Sequence, residues 1–471
     1  MKLLDSFSRH VMGNPQRDQM GAADQSRLSR KSKSMFMWWT SAVKPHENRA
    51  VILAFLCNFV LLGSYYILRP LRDTMATVFG ADQLQFLFTG TFFITLVCAP
   101  LFSAVVARVQ LLRLIPGLFW FWTANVLLFF ALFEFIPQSR WLAAAYYWWF
   151  SVVNLFLISV FWTFMADLFS DSQATRFFPI IAAAGSTGAI LGPIITKLLV
   201  AHVGVGGLLL VAAAGFVLII ALVHMLIREK ESLRRSDGDA QRTTLTHALP
   251  GNPLDGFGLL LSSRMMIDQS LFMLLMTWIA TVMYFLQTEL IASAYVGVAS
   301  RAMAFADVDL VVNTAAALIA VFGTGRLLRR YGVTFGLALS PLLMLGACLA
   351  IAAAPSLALV QGARGLQRIT QYAVARPARE ILFTVADQAS KYKAKNVIDT
   401  TIYRFGDLTA AWMQTAVGAL GFGMSAVAML GVGISVAWGG VALALGSRFQ
   451  RIRNTIHTVN FEQSRSADSF R

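Results

Sequence analysis

The stretch YYILRPLRD, Tyr65 to Asp73, finishes the first long apolar run of the chain on two arginines and an aspartate. A guanidinium offers a planar fork of donors that grips phosphate or carboxylate two-pronged. Arg69 and Arg72 are therefore a candidate anion contact, with Asp73 as their local counter-charge. Pro70 is accommodated if the helix breaks there and turns its cationic end towards a water-filled cavity; the competing reading is a solvated loop after a span that ends at Leu68. A second set lies far down the chain. Arg364, Arg368, Tyr372 and Arg376 are spaced by four and Arg379 by three more, which traces one side of a helix. Either this whole stripe serves an anion, or Arg376 and Arg379 snorkel to the membrane surface and only Arg364 and Arg368 lie inside. Asp167, Lys197, Glu289, Arg404 and Asp407 are further ionisable residues within apolar runs. Asp167, Glu289 and Asp407 could set charge balance or carry a coupling proton, whereas Arg404 and Asp407, three apart on one helix, are also placed to neutralise each other.

These residues stand out because of what surrounds them. Hydrophobic residues make up 57% of the 471 and charged ones 13%, and the mean hydropathy is +0.63; such a chain is an integral membrane protein. An ionisable side chain at membrane depth costs from about 3 to more than about 10 kcal/mol, so it should face a partner or a wet cavity. The formal charge of +15 is carried mostly by short segments between apolar runs. That distribution matches an orientation signal rather than nucleic-acid binding. Cys57, Cys98 and Cys348 are isolated, with no paired spacing and no neighbouring histidine, so neither a disulfide framework nor a metal site is expected. No Walker loop, H-E-x-x-H or G-x-S-x-G occurs. No catalytic residue and no cofactor are expected, and ATP hydrolysis is not the energy source.

A hydrocarbon core about 30 Å thick needs about 20 helical residues. Twelve segments qualify: 50–68, 86–107, 114–136, 141–167, 177–200, 203–227, 271–294, 308–328, 333–354, 356–385, 398–421 and 423–446. The tenth is interrupted by its arginines, and parity decides in its favour. With twelve crossings the basic amino-terminal tail, Arg108 and Arg113, Arg326 to Arg330, Lys391 to Lys395, and Arg448 to Arg453 share one side. By the preference for Lys and Arg inside, that side is the cytoplasm, and both termini lie there.

The predicted organisation is a polar cytoplasmic tail over 1–49, a six-helix half over 50–227, a cytoplasmic linker over 228–268, a second six-helix half over 269–446 and a cytoplasmic tail over 447–471. Within the first tail, MFMWWT (Met35 to Thr40) has the aromatic and basic surroundings of an interfacial helix. The halves look like weak copies: basic turns follow the second and eighth spans, and YIL at Tyr66 is matched by YFL at Tyr284. Six plus six with a long basic central loop is the all-α architecture of major facilitator transporters, whose substrate site lies near the midplane between halves. GSTGAILG, Gly185 to Gly192, permits close helix contact, and Asn58, Asn125, Asn154 and Asn313 are expected to bond between helices. The packing glycines permit a dimer without requiring one.

The chain also resembles a known family, the ATP/ADP translocase or nucleotide transporter family of intracellular bacteria and plastids, with its relatives in free-living bacteria. The likeness is carried by VKPHENRA (Val43 to Ala50) leading into GSYYILRPLRD, by FWTFMADLF to RFFPIIAAAGSTGAILGP (Phe161 to Pro193), and by AREILFTVADQASKYKAKNVIDTTIYRFGD (Ala378 to Asp407). The resemblance independently implies twelve helices of major facilitator type. It assigns to Arg72 the role of a first-helix cation, and to Lys391, Lys393, Lys395 and Asp399 those of a K-x-K-x-K stretch with its following aspartate. Glu289 is the candidate for a seventh-helix glutamate. Two positions depart: a fourth-helix glutamate falls at Phe150, and an eleventh-helix lysine is Asp407, which follows Gly406. A cation exchanged for an anion there should repel a polyphosphate.

The expected activity is secondary transport, in a bacterial inner membrane, of an anionic small molecule, with ATP, ADP or another nucleotide as the cargo the resemblance implies. Arg69, Arg72, Arg364, Arg368, Arg379, Lys395 and Arg404 are the expected substrate contacts, and Asp73, Asp167, Glu289 and Asp407 the residues of coupling or charge balance. The alternatives are a proton-coupled exporter of amphipathic compounds, using the methionines and phenylalanines as an adaptable lining, and a membrane scaffold or sensor that does not transport.

Overall fold

The computed structural model describes residues 43–109, 111–136, 139–236, 255–385 and 394–469. Among them all regular structure is helical. The expected interfacial helix at Met35 to Thr40 lies outside the described residues, as do Lys391 and Lys393.

The first helix, α1, runs Asn48–Phe79 without a break, eleven residues past Leu68 and straight through Pro70. The expected rupture at Pro70 is absent for a local reason. Proline removes the N–H that would bond the Tyr66 carbonyl and crowds the preceding turn, and neighbouring helices anchor that turn at the two carbonyls after Tyr66: Thr196 donates to Ile67 O at 3.4 Å and Tyr146 to Leu68 O at 3.2 Å. Membrane helices tolerate proline where such donors exist. Arg69, Arg72 and Asp73 are thus interior residues of α1 and not its end.

Next come α2 (Leu84–Arg108), α3 (Leu111–Phe135) and α4 (Arg140–Leu168), the last capped by Ser139, whose hydroxyl accepts from the Leu142 N–H. The long rod α5 (Asp171–Ser236) turns back at Gly204, where φ is +65°, so that it makes two crossings. A short α6 (Asp255–Ser262) leads into α7 (Arg264–Ala294). The linker expected over 228–268 is therefore helical at both ends, and residues 237–254 lie outside the description. α8 (Val298–Ile319) passes through a π turn at Ala320–Thr324 into α9 (Gly325–Ala353), which turns back at Gly332 with φ +81°. A left-handed turn of this kind costs glycine little and other residues more.

The tenth crossing is assembled from α10 (Leu357–Thr370), a π turn at Gln371–Ala375 and α11 (Arg376–Leu382). The eleventh joins α12 (Lys395–Val397), a π turn at Ile398–Ile402 and α13 (Tyr403–Ala419), and α14 (Met424–Ser469) completes the bundle. Among the described residues, eight helical stretches are long and apolar enough to cross a membrane. Two of these are double length and fold back at Gly204 and Gly332, and α10 to α13 supply two more, which makes the expected twelve.

Each half has its own apolar core, with Phe119, Phe150, Phe164 and Phe216 in the first and Phe272, Met344, Phe383 and Trp438 in the second. Within the first half α1 lies against α5, where a β-carbon at Gly188 would overlap the Phe59 carbonyl, as the GSTGAILG run anticipates. The halves meet where α5 and α1 pack on α8 and where α2 packs on α13. A further apolar cluster, including Phe79, Leu84, Leu87, Tyr147, Tyr284 and Phe285, joins them at the end of the bundle where α1 terminates, here called the far end. The opposite, near end carries Glu47 and the start of α5.

Candidate functional site

On the far side of the bundle's middle, the seam between halves holds an ionic group of three. Asp309 of α8 is 1% exposed, Arg368 of α10 5% and Arg69 of α1 8%. Arg368 Nη1 lies 2.5 Å from Asp309 Oδ1, and Arg69 Nε 3.8 Å from Asp309 Oδ2. One carboxylate thus stands between guanidiniums contributed by opposite halves. Tyrosine rings flank them, Tyr66 5.5 Å from the Arg69 guanidinium and Tyr372 6.0 Å from that of Arg368.

The neighbouring network is organised by α7. Arg72 forks onto Asp73, with Nε at 2.9 Å and Nη2 at 2.5 Å from Oδ1, and Tyr284 donates its hydroxyl to the same oxygen at 3.1 Å. Arg364 of α10 donates to the Ala280 carbonyl at 2.9 Å and to Gln367 Oε1 at 2.8 Å; its guanidinium lies 5.6 Å from the Tyr284 ring. One turn back on α7, Thr281 donates to Asp407 Oδ1 at 3.2 Å, and Arg404 meets Asp407 Oδ2 at 3.3 Å. The residue pair expected to neutralise itself does so. Phe150, where the family resemblance leads one to expect a glutamate, stacks on Tyr65 with centroids 5.1 Å apart and lies 5.9 Å from the Arg72 guanidinium.

Around this seam, among the described residues, the four cations Arg69, Arg72, Arg364 and Arg368 stand with two acids, Asp73 and Asp309, so positive charge is in excess. Among the described residues, Arg368 Nε and Nη2 and Asp309 Oδ2 are buried without a hydrogen-bond partner. A buried donor left unsatisfied costs about 1–3 kcal/mol. Orphaned guanidinium donors where positive charge is in excess are suited to receiving an oxyanion.

The other expected contacts lie elsewhere. The π turn at Gln371–Ala375 inserts one residue and rotates the next stretch of helix by about 100°. The single arginine stripe is thereby split: Arg364, Arg368 and Tyr372 stay at the seam, Arg376 is exposed with its guanidinium 5.4 Å from the Tyr372 ring, and Arg379 turns towards the next crossing. Arg379 Nη1 meets Asp399 at 2.5 Å, and Lys395 meets Glu380 at 2.5 Å, near-end pairs that join the tenth crossing to the eleventh. Asp167 stands half-buried in the last turn of α4 at that same end, and Glu289 is exposed on α7. Lys197 pairs with Asp307 across the α5–α8 contact at 2.7 Å. Asn58 and Asn313 bond between helices as expected, to Ile181 O and Ala189 O, whereas Asn125 bonds within its own helix to Phe121 O.

Sequence reasoning missed Asp309, with Tyr284, Gln367 and Thr281. Hydropathy puts Asp309 at the edge of a span beginning at 308, but α8 begins at Val298 and places the acid well inside. The available signal was ADVD, Ala306 to Asp309, within an otherwise apolar helix. A buried acid at that depth calls for a cation.

Two six-helix halves that meet along a charged seam are the architecture of a polytopic membrane transporter. The chain belongs to the Major Facilitator Superfamily, whose profile matches residues 54–374. Its fold is similar to those of several solved transporters. A crystal structure of a mutant of the nucleoside transporter NupG is 17% identical with TM-score 0.56, covering 85% of this chain and 99% of that one. A bacterial homologue of the iron transporter ferroportin in the inward-facing state is 12% identical with TM-score 0.61, covering 85% and 99%. A POT family transporter in complex with 5-aminolevulinic acid is 13% identical with TM-score 0.59, covering 85% and 96%. No curated protein sequence matches the chain.

Proposed function

We propose that this protein is a secondary transporter of an anionic metabolite, bound between Arg69 and Arg72 of the first half and Arg364 and Arg368 of the second. The observation that carries the reading is the pair of buried, unpartnered donors on Arg368 within a cluster of excess positive charge. An oxyanion received there would complete the guanidinium's bonding and draw the two halves together, which is what an alternating-access carrier requires of its cargo.

A nucleotide is the favoured class of cargo. The likeness to the ATP/ADP translocases points to it, and the rings of Tyr66 and Tyr372 beside the cations add a surface on which a planar group could lie. The departure at Asp407 weighs less than its charge suggests, because Arg404 and Thr281 already satisfy it. The distribution of basic segments supports a reading in which both termini lie in the cytoplasm and the membrane is a bacterial inner membrane. With the far end sealed by the cluster around Phe79, Leu87 and Phe285, the arrangement corresponds to a carrier closed towards the outside.

Thermal unfolding of the purified protein against ATP, ADP, other nucleotides, sugar phosphates and organic acids tests the reading, because a ligand of the folded state raises the melting temperature by mass action. An anion should stabilise the protein, and Arg368→Gln should abolish that shift. Stabilisation by uncharged amphiphiles alone, with no response to any anion, would overturn it.

A further inference from the structure

Asp309 is the acid that the expected cluster did not contain, and its position at the seam is unusual. It is 1% exposed, it sits on α8 of the second half, and its two oxygens face different halves: Oδ1 meets Arg368 at 2.5 Å while Oδ2 faces Arg69 Nε at 3.8 Å. Oδ2 has no hydrogen-bond partner among the described residues. The two contacts are therefore unequal, a tight one within the second half and a loose one across the seam. Without the carboxylate, two buried guanidiniums from opposite halves would confront each other in a medium where like charges repel strongly.

We propose that Asp309 is a built-in counter-anion: in the substrate-free protein it bridges Arg69 and Arg368 and lets the halves close at the far end, and an anionic cargo displaces it from Arg69. The displacement step rests on the transport reading above; the closure of the empty protein does not. The arrangement gives the empty carrier a way to close that needs no cargo. The tight Arg368 contact keeps the acid on its own half while the loose Arg69 contact exchanges. Asp309 is a positioning residue in this scheme, because it acts through the two arginines.

The test reads the empty protein directly. Spin labels are placed at Phe135→Cys and Val296→Cys, which are 84% and 95% exposed at the far end of opposite halves, in a Cys98→Ser background, Cys57 and Cys348 being buried. Pulsed dipolar spectroscopy on the substrate-free protein should show one short distance. Asp309→Asn should add a longer population that outweighs it, Asp309→Glu should keep the short distance, and Arg69→Gln with Asp309→Asn should restore it by removing the repulsion. An Asp309→Asn distribution that matches the parent would overturn the proposal, as would a double variant that stays as open as the single one. If Asp309→Asn alone fails to fold, the comparison moves to yield: the double variant should recover folded protein, and equal failure of both would overturn the proposal. A protein that no anion stabilises, yet whose distances behave as described, would overturn the transport reading and leave the role of Asp309 in closure standing.

Discussion

The hydroxyl of Tyr284 donates to Asp73 Oδ1 across 3.1 Å, and by that bond α7 of the second half is held to α1 of the first. Asp73 also takes the Arg72 fork on the same oxygen, so the tyrosine completes a site already charged. Tyr284→Phe removes the seam bond and leaves the acid paired. A hydrogen bond to a charged group contributes about 1.5–3 kcal/mol. The variant should therefore lose about 2 kcal/mol of stability, read as an earlier thermal transition in detergent, while keeping its anion-dependent stabilisation. Loss of that stabilisation would make Tyr284 a ligand contact.

Arg72→Gln addresses the opposite partner. It removes a cation with its guanidinium 5.2 Å from the Tyr147 ring and leaves Asp73 to Tyr284. If Arg72 helps hold the cargo, the apparent affinity in the thermal-shift titration should fall by about tenfold to a hundredfold, the equivalent of one charged contact. The yield of folded protein should stay near the parent's. Unchanged affinity and uptake in this variant would remove Arg72 from the binding group.

Arg379 and Asp399 provide a contrasting case, since they join the tenth and eleventh crossings at the near end. Arg379 lies about 16 Å along the helix from Arg368. Arg379→Ala should cost about 3 kcal/mol, because it leaves charge unpaired in a partly buried site. The double variant with Asp399→Ala should lose less than the two single losses together, a coupling of about 1 kcal/mol or more. Anion affinity of the folded fraction should not change. Additive losses accompanied by a drop in affinity would return Arg379 to the binding residues.

The crossings were legible because side chains towards lipid, such as Leu128, Leu342 and Val436, are apolar whatever stands behind them. The boundaries were less legible wherever charges find partners inside the bundle. Asp73 and Asp309 read as the edges of spans because a hydropathy window scores an acid the same way whether or not an arginine meets it. The π turn at Gln371–Ala375 carries no distinctive residue types, so helical spacing placed Arg379 on the face of Arg368 when the fold turns it away. Of the candidate site, the cations Arg69, Arg72, Arg364 and Arg368 were visible by type and spacing. The acid between Arg69 and Arg368 was not, because nothing local to ADVD records that α1 and α10 converge on it.

Glu47 supplies a pH-dependent prediction outside the membrane spans. It is fully buried where the chain enters α1 and takes the Lys44 N–H at 2.9 Å, Gln173 Nε2 at 3.1 Å and the Arg176 fork at 3.0 and 2.9 Å. Burial by itself would raise its pKa, but the Arg176, Lys44 and Gln173 bonds outweigh that effect and hold the carboxyl below its ordinary value of 4.5. A group depressed in the folded state stabilises it fully above the unfolded value and loses that contribution as pH falls through the folded one. Glu47→Gln should therefore be less stable than the parent by about 2 kcal/mol near neutral pH. The gap should stay flat down to about pH 5 and narrow only below that. Thermal unfolding of both proteins from neutral pH down to about pH 4 measures it. A gap that widens on acidification would mean that the Arg176 fork does not stabilise the ionised carboxylate, and that α5 is held to the start of α1 by packing alone.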